Sequence, residues 1–367
     1  MKIHALYVSS KLYPQRGLSL IELMISLTIG MLLLLGITAL IVQQSQTRTE
    51  LEKSSRQIEN GRYAIQILHD DIEHAGYYDK YFNIPQASAV LAATPLPDPC
   101  STVATDLEAA MSLPVQGYDL SVSPPTGAAF TCKLDGVNSA SNANNHRPGT
   151  DILVIRRVAT NTTPKASAVA GQYYLQATPA EHLLATGTNT SVFTLTNNTT
   201  NDKSEASLRA YLTRIYFISP CSIPAGGGTS CTGAADDDGR PIPTLKRLEL
   251  SSVGGAPTFT MTRLVEGIEN MQLDYGLDAD LDGYPDNNYA TVPATSEEWS
   301  NVMTVRVNLL ARNTECTTGH TDTKSYNLGA AGTFTAPASI CPNGDFKRHV
   351  FTELVRVINP SGRRSQE

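Results

Sequence analysis

The sequence predicts an α+β fold in which one long amino-terminal α-helix packs on a head rich in antiparallel β-sheet with long loops. Three observations lead to this prediction. An apolar run covers residues 18–42, and a helical pattern continues from it to residue 75. Beyond it, short segments with strand patterns alternate with polar connections, and no second helical stripe follows. We therefore divide the chain into three parts: a leader (residues 1–17), a long helix (residues 18–76) and a β-rich head (residues 77–367).

The leader is short and basic. It contains Lys2, Lys11 and Arg16 and no acidic residue, a composition that holds a segment on the cytoplasmic side of a membrane. A secretory signal peptide would have a shorter apolar core with a small-x-small cleavage site after it, whereas the small residue Gly17 precedes the core here. Cleavage at Gly17 would therefore leave the apolar segment on the mature chain, as a single membrane-spanning helix.

The apolar half of the helix, residues 18–42, carries one formal charge, Glu22. A carboxylate inside a membrane costs roughly 2.5–3.5 kcal/mol on insertion scales, so Glu22 needs a partner. The α-amino group created by cleavage after Gly17 is the natural candidate, on the same chain or on a neighbouring subunit packed with an axial offset. An ordinary membrane anchor with a chance glutamate is the alternative.

The second half of the helix, residues 43–76, is amphipathic. No proline interrupts it, and Gly76 suits a C-cap. Two helices broken within residues 43–49 are the alternative. The apolar positions are predicted to form one buried stripe, which consists of Leu51, Ile58, Ile65, Leu68, Ile72 and Ala75.

The head is predicted to be mostly strands. Apolar runs at residues 152–155 and 211–218 suit buried strands. Strict alternation at residues 248–250 and 305–309 predicts strands with one buried and one solvated face. Further strands are expected at residues 258–264, 271–275 and 350–358. Polar stretches predict loops at residues 138–145, 159–165 and 186–204.

Charge and cysteine content indicate an exported head. The formal net charge of −7 becomes −10 when the three basic leader residues are removed, which disfavours nucleic-acid binding. Six cysteines without a C-x-x-C pair indicate disulfides in an oxidising compartment, and they allow fifteen connectivities. Sequential pairing is our expectation, and a zinc site is the alternative that the spacing disfavours. The cysteines are Cys100, Cys132, Cys221, Cys231, Cys316 and Cys341.

An acidic segment at residues 278–286 resembles an EF-hand calcium loop in its spacing. Carboxylates occupy positions 1, 3, 5 and 9, which are Asp278, Asp280, Asp282 and Asp286. Gly283 at position 6 permits a sharp turn, and the carbonyl of Tyr284 would be the ligand at position 7. Position 12 is Tyr289 in place of the usual glutamate, so another carboxylate, such as Glu297 or Glu298, or water must complete the shell. The spacing predicts a Ca²⁺ site of modest affinity, with a solvated acidic turn as the alternative.

Catalytic motifs are absent from the sequence, so we predict that the protein is not an enzyme. There is no G-x-S-x-G elbow, no H-E-x-x-H helix and no phosphate-binding glycine loop. His69 and His74 lie five residues apart on the long helix and are interpreted as surface or packing residues. The acidic run at residues 236–238 lacks the alternating spacing of a metal loop and predicts a simple turn.

The residues around Gly17 resemble the processing motif of type IV pilins and type II secretion pseudopilins. The motif is Arg16-Gly17-Leu18-Ser19-Leu20-Ile21-Glu22-Leu23. The resemblance implies cleavage by a prepilin peptidase after Gly17, N-methylation of Leu18, and Glu22 as the fifth residue of the mature chain. Major pilins usually have a proline where this chain has Ala39, and their heads are compact, so a major-subunit role is disfavoured.

Three segments of the head resemble the PilW family of minor pilins: residues 151–156, 245–250 and, most specifically, 264–276. The resemblance implies that the protein joins other minor pilins in a complex that primes pilus polymerisation at the fibre tip, and so supports twitching motility and adhesion. The implied partners are the other minor pilins, the major pilin, the prepilin peptidase, an inner-membrane assembly platform and a tip adhesin.

The resemblance also implies a location. The precursor is expected in the bacterial inner membrane with its head in the periplasm, and the assembled subunit on the pilus at the cell surface. Two other functions remain open: a tip pseudopilin of type II secretion, and a calcium-dependent adhesin with the acidic loop as its site.

Overall fold

The computed structural model describes residues 17, 19–81, 96–119, 130–137, 142–197, 203–286, 289–290, 292–293, 295–337 and 340–364. Of the predicted leader, only Gly17 is among them. The chain divides into two compact units, Met1–Glu52 and Lys53–Glu367, and each is considered by itself.

The amino-terminal part of the described chain is one helix, α1, which covers Leu20–Glu73 without interruption. The prediction of a single long helix is confirmed, and the alternative of two helices broken within residues 43–49 is wrong. The helix ends earlier than predicted, three residues before Gly76. Gly76 has a φ of +72°, which glycine adopts readily, and its amide donates to the carbonyl of Arg156.

The first sheet of the head has seven strands, paired antiparallel throughout. They are β1 (Val115–Tyr118), β2 (Ile152–Val158), β3 (Tyr173–Ala177), β4 (His182–Thr186), β5 (Leu208–Ser219), β6 (Thr244–Val253) and β7 (Ala256–Glu266). The strands β1, β2, β5, β6 and β7 follow one another across the sheet. The β3–β4 hairpin pairs with the first residues of β5.

The second sheet has four antiparallel strands in the order β15-β10-β8-β9. They are β8 (Ile268–Leu277), β9 (Tyr289–Ala290), β10 (Val302–Arg312) and β15 (Arg348–Arg356). Two short ladders pair β11 (Thr317–Thr318) with β14 (Gly344–Asp345) and β12 (Ser325–Asn327) with β13 (Thr333–Thr335). The described part of the head also has four short helices. In chain order, α2 (Ala104–Ala109) precedes β1, α3 (Asn142–Asn145) and α4 (Ser296–Ser300) lie between strands, and α5 (Ile358–Arg364) follows β15.

Every predicted strand corresponds to a strand of these sheets, although β15 ends at Arg356, two residues before the predicted end at residue 358. The α+β prediction with antiparallel sheet is confirmed. One detail of β10 was predicted wrongly. The alternation at residues 305–309 predicted a solvated face, but Asn308 on that face is only 2% exposed. Its side chain donates to Asp274 at 3.3 Å and accepts from the Thr352 hydroxyl at 3.0 Å. Polar residues on this face therefore bond to one another instead of to water.

The main core of the head lies between the two sheets and the last part of α1, residues 53–73. Ala64, Leu68 and Ile72 of α1 are fully buried, and they belong to one apolar cluster with residues such as Ile155 of β2 and Val307 of β10. The helix thus buries one face against both sheets, and this contact removes apolar surface from water.

The buried face of α1 differs from the predicted stripe. Leu68, Ile72 and Ala75 are buried, but Leu51 is 66% exposed and Ile58 is 41% exposed. The prediction followed large apolar side chains, whereas four of the six residues on the observed face are small or polar. That face consists of Gln57, Gly61, Ala64, Leu68, Asp71 and Ile72.

Candidate functional site

The start of α1 is held by reciprocal hydrogen bonds between Ser19 and Glu22. The Ser19 amide donates to Glu22 Oε2 at 3.0 Å, and the Glu22 amide donates to Ser19 Oγ at 3.2 Å. This arrangement is a capping box, which satisfies amide groups that the first helical turn leaves without intrahelical partners. Glu22 therefore has a partner on its own chain, three residues away.

Sequence reasoning missed this partner, although the signal was present. A serine followed three residues later by a glutamate, just before an apolar run, is the sequence signature of a capping box. The box engages only Oε2 of Glu22. Among the described residues the other oxygen, Oε1, has no partner, so it stays available to a group from outside the chain. Gly17 is exposed, and Leu18, the predicted methylation site, lies outside the described residues.

The apolar half of α1 contains few polar side chains, and each is hydrogen-bonded within the helix. The hydroxyls of Ser26, Thr28 and Thr38 donate to carbonyls three or four residues earlier, at 2.8–3.0 Å. Its large apolar side chains are exposed in the unit Met1–Glu52. The helix α1 is long and apolar enough to cross a membrane.

The acidic segment at residues 278–286 follows β8 and folds around Asp278. The side chain of Asp278 is completely buried. Its Oδ1 accepts the Asp282 amide at 3.1 Å, and its Oδ2 accepts the Gly283 amide at 3.0 Å. Positive φ angles of +66° at Leu281 and +85° at Gly283 let the chain turn sharply around this carboxylate. The residue predicted for position 1 thus lies at the centre of the loop.

Three of the four predicted carboxylates converge. Oxygens of Asp278, Asp280 and Asp286 lie within 4.8 Å of one another. Asp282 is not part of this group, and its Oδ1 accepts the Tyr284 amide at 2.8 Å. The side chain of Tyr284 is 56% exposed and lies 5.1 Å from the guanidinium of Arg356, measured to the ring centroid.

The charges around this loop partly favour the binding of a cation. The Asp282 amide donates to Asp280 and lowers its pKa, but desolvation and the neighbouring carboxylates outweigh it, so the pKa of Asp280 is raised. Crowding of like charges is relieved by a bound cation. Arg364 already supplies one positive charge, because it donates to Asp278 Oδ2 at 3.1 Å. Glu298, one of the residues suggested to complete the shell, caps α4, because its Oε2 accepts the Thr295 amide at 3.2 Å.

The structure contains three disulfides in the sequential pairing that the sequence analysis expected. They are Cys100–Cys132, Cys221–Cys231 and Cys316–Cys341. Each closes a segment of the head, with sequence separations of 32, 10 and 25 residues. All six cysteines are thereby used, which removes them as zinc ligands.

The acidic run at residues 236–238 is more organised than the predicted simple turn. Asp236 is 1% exposed and accepts the amides of Ala225, Thr232 and Gly233 at 2.7–2.8 Å. Burial by itself raises the pKa of Asp236, but these hydrogen bonds outweigh it and lower the pKa. The carboxylate lies beside the Cys221–Cys231 disulfide and fixes the loop that this disulfide closes.

Two family models match the chain. The prokaryotic N-terminal methylation motif matches residues 13–38, which include the capping box and most of the apolar run. Together with α1, this match fits the class of membrane-anchored pilins. Within that class, the family of type IV pilus-assembly protein W (PilW) matches residues 231–359, from the end of the Cys221–Cys231 loop into α5. No curated protein and no solved structure matches the chain.

These matches confirm the resemblance found in the sequence, and they support the minor pilin family of the type IV pilus. The PilW match suggests a structural protein, and it supports interaction with other components of pilus assembly.

Proposed function

We propose that the protein is a minor pilin of the type IV pilus that joins other minor pilins and primes fibre assembly at the tip. One observation carries the proposal. A methylation motif on an exposed apolar helix and a PilW match in the head occur on the same chain. A helix of this kind can anchor a precursor in a membrane and later pack among other such helices.

In this proposal a prepilin peptidase cleaves after Gly17, and Leu18 becomes the methylated first residue. The apolar half of α1 holds the subunit in the inner membrane with its head in the periplasm. The assembly platform then brings it together with other minor pilins and the major pilin, and the head contacts a tip adhesin. The assembled subunit lies at the cell surface and supports twitching motility and adhesion. Its work is binding, without catalysis.

Glu22 would set the position of the subunit along the fibre. The bond from Ser19 orients the carboxylate and offsets part of its insertion cost of roughly 2.5–3.5 kcal/mol. Oε1 would accept the α-amino group of a neighbouring subunit, an ion pair that is strong where water is excluded.

Processing can be tested directly on the mature chain. Mass spectrometry of the subunit from sheared pili or membranes should find an amino terminus at a methylated Leu18. A chain that still begins with Met1 would contradict the proposal.

Two matched variants separate assembly from helix capping. Ser19→Ala removes the capping hydroxyl and keeps the carboxylate, at a cost of about 1 kcal/mol. Glu22→Ala removes the carboxylate itself. We expect Glu22→Ala to abolish incorporation into sheared pili and Ser19→Ala to stay near the wild-type level, as measured by immunoblot against the amount in membranes. Wild-type incorporation of Glu22→Ala would refute the role of Glu22.

A tip pseudopilin of type II secretion is the alternative within the same class, because the methylation motif fits both systems. Deletion of the chain distinguishes them. Loss of surface pili with normal enzyme secretion supports the pilus, and the opposite result supports secretion. The PilW match favours the pilus.

We also propose that the acidic loop binds Ca²⁺. The residues fit this ion in that Asp278, Asp280 and Asp286 supply converging carboxylate oxygens, the ligands that Ca²⁺ prefers. Bound Ca²⁺ would hold the loop together. If the loop is instead an adhesin site, alanine at Asp278, Asp280 and Asp282 should abolish surface binding while the number of pili stays normal. A fall in pilus number would show a structural role.

Calorimetric titration of the full chain with Ca²⁺ tests the ion itself. Asp280→Asn should weaken binding strongly, because it removes a converging carboxylate. Asp282→Asn is the matched control, because it removes the same charge from outside the converging group. Absence of binding by the wild type, or an equal loss in both variants, would refute the site.

A further inference from the structure

The strand β7 (Ala256–Glu266) forms one edge of the first sheet. It pairs with β6 and with no other described strand. None of residues 256–264 is buried. In the part of the chain that the structure describes, the main chain of residues 257–265 forms hydrogen bonds with β6 alone. One side of this strand is therefore open to another chain.

The hairpin turn between β6 and β7 determines which main-chain groups face outward. The turn is Gly254-Gly255, and the positive φ angles of +62° and +80° are those of a two-residue type I′ hairpin. The flanking pair, Val253 and Ala256, then exchange both hydrogen bonds, and the ladder continues without a register shift to Arg263. Because hydrogen-bonded pairs alternate, every second residue from residue 257 points its main chain away from β6. These residues are Pro257, Phe259, Met261 and Arg263.

The middle of this edge lacks the features that usually block the addition of a strand. Natural edges are protected by charged side chains, prolines or bulges. Residues 258–262 are Thr-Phe-Thr-Met-Thr, with neither a charge nor a proline. Pro257 precedes them, and the register shift of the ladder comes after Arg263. An edge of this kind is a template for a further strand.

The two faces of the edge have different side chains. Phe259 and Met261 are half-buried and pack against the apolar cluster that includes the Cys100–Cys132 disulfide. Threonines alternate with them and lie on the opposite face. They are Thr258, Thr260 and Thr262. A strand that alternates apolar and hydroxyl side chains would pair with both faces.

Both ends of the edge carry positive charge. Lys133 is exposed and, together with Phe259, lines a pocket of about 310 Å³ beside the first residues of β7. Arg263 is exposed near the other end. Neither the ammonium group of Lys133 nor the guanidinium of Arg263 has a hydrogen-bond or ion-pair partner among the described residues. Burial and, after it, the charge of Arg263 lower the pKa of Lys246 on β6 to about 8.

We propose that β7 accepts an extended segment of a different pilin subunit as an added antiparallel strand, and that acidic residues of this segment bind Lys133 and Arg263. The inference rests on the proposed function in that it supplies a contact for assembly. An antiparallel partner is expected because every pair in this sheet is antiparallel. In strand addition, main-chain hydrogen bonds supply affinity, and side-chain contacts supply specificity.

A symmetric peptide tests the edge without any pilus. The full chain in detergent micelles is titrated with the labelled peptide Glu-Thr-Val-Thr-Val-Thr-Glu, and fluorescence anisotropy is recorded at low and high salt. Its valines match Phe259 and Met261, and its glutamates match the charged ends. We expect saturable binding that high salt weakens. Absence of binding by the wild type would overturn the proposal.

Two N-methylated forms of the peptide test the main-chain bonds. A residue directly opposite Phe259 or Met261 in an antiparallel pair donates its amide to β7. Methylation of the two valine amides should therefore abolish binding, whereas methylation of the three threonine amides should leave it near the level of the parent peptide. Equal binding of the two forms would show that the peptide does not add as a strand.

Matched charge variants test the two ends. Lys133→Glu with Arg263→Glu should bind the peptide about tenfold more weakly, which corresponds to about 1.4 kcal/mol. Lys203→Glu with Arg240→Glu is the control, because it makes the same charge change at an exposed lysine and an exposed arginine elsewhere. Unfolding curves of both variants identify any loss from misfolding. Equal binding by the two variants would overturn the role of these charges.

Cross-linking in assembled pili identifies the partner. A carbodiimide joins a lysine to a carboxylate that touches it, and mass spectrometry should find Lys133 joined to an Asp or Glu of a different pilin. Lys133→Arg keeps the charge but should lose the cross-link. Cross-links to this chain's own sequence alone would overturn the choice of partner. Pili that contain the processed subunit but no cross-link at Lys133 would overturn the contact and leave the proposed function standing.

Discussion

Asp71 is a charged residue on the buried face of α1, where it joins the helix to the first sheet. Its side chain is 4% exposed, and its Oδ1 accepts from Arg157 at 2.8 Å and from Arg214 at 2.7 Å. The hydroxyl of Tyr216 donates to Oδ2. Burial by itself raises the pKa of Asp71, but Arg214, Arg157 and Tyr216 outweigh it, so the pKa lies below its ordinary value.

We predict that Asp71→Asn destabilises the head by about 3–5 kcal/mol, because it removes the counter-charge of two largely buried arginines. Asp70→Asn is the matched control, since Asp70 is the exposed neighbour, and it should change stability by less than about 0.5 kcal/mol. Denaturant unfolding of the full chain in micelles, followed by the fluorescence of Trp299, measures both. Equal stability of the two variants would contradict the prediction.

The lowered pKa of Asp71 also fixes the sign of its pH dependence. Its contribution to stability is complete above the unfolded pKa of about 3.9 and is lost as the pH falls through the lower folded pKa. The wild type should therefore lose stability below about pH 4, and Asp71→Asn should lose less over the same range. Thermal unfolding across the acidic range measures this, and parallel curves for the two proteins would exclude Asp71 as a cause.

At the scale of residues, local spacing along the chain predicted which side chains come together. Contacts between residues that are distant in the sequence could not be predicted. The positions of Asp278, Asp280 and Asp286 followed from their spacing along nine residues, because a short loop brings them together. The burial of Asp71 could not be predicted, because its partners Arg157 and Arg214 lie 86 and 143 residues away in the sequence. A polar residue on a helix is expected to face water unless such partners are known.

At the scale of elements, Gly61 shows how closely α1 approaches the second sheet. A Cβ at this position would lie 2.1 Å from the ring of Phe351 on β15. Glycine inside a helix costs about 1 kcal/mol relative to alanine. The close approach of the ring explains why glycine is present here despite that cost.

Gly61→Ala should therefore destabilise the head by about 1–3 kcal/mol, although alanine is the better helix former. Gly362→Ala in α5 is the control, because a Cβ there meets nothing within 4 Å, and it should be neutral or stabilising by up to about 1 kcal/mol. Phe351→Leu replaces the ring with a smaller side chain, so it should recover part of the lost stability in the Gly61→Ala background. Unfolding curves of the three variants measure these changes in stability. A Gly61→Ala protein as stable as the wild type would show that the ring of Phe351 can move without a loss of stability.

Elements with a strong local pattern were predictable from the sequence. The length of α1 followed from an unbroken apolar run and a continuing helical period, and β2 and β5 followed from their apolar runs. The packing face of α1 was predicted poorly, because Gly61 and Gln57 contribute contacts without being large or apolar. Gln57, for example, donates to the carbonyls of Ala311 and Lys347, at 2.8 and 3.0 Å.

At the scale of the whole molecule, the disulfides restrict the unfolded chain more than they add contacts. Chain entropy predicts losses of about 2.7 kcal/mol for removing Cys221–Cys231 and about 3.5 kcal/mol for removing either of the two longer-range disulfides. Paired serine substitutions, one disulfide at a time, should show this order in denaturant unfolding. A Cys221–Cys231 variant that loses the most would indicate that native contacts of the loop, including those of Asp236, dominate.

The arrangement of strands into two sheets was beyond prediction from one sequence. β5 lies next to both β2 and β6 because of pairings between distant segments, and no local pattern records them. The sequence could still limit the outcome, since a head of antiparallel sheet with long loops was expected. The cysteine pairing is similarly simple, because each disulfide joins two cysteines that are consecutive among the six in the sequence.

The hydroxyls of Ser26, Thr28 and Thr38 all bond to the helix that carries them. The flank of this segment beyond Glu22 therefore offers no unpaired hydroxyl to lipid tails or to adjacent helices. Packing along this flank would depend on van der Waals contacts between apolar side chains, which tolerate rotation of the helix about its axis. A specific lengthwise position would then depend on Glu22 alone among the described residues of the apolar half.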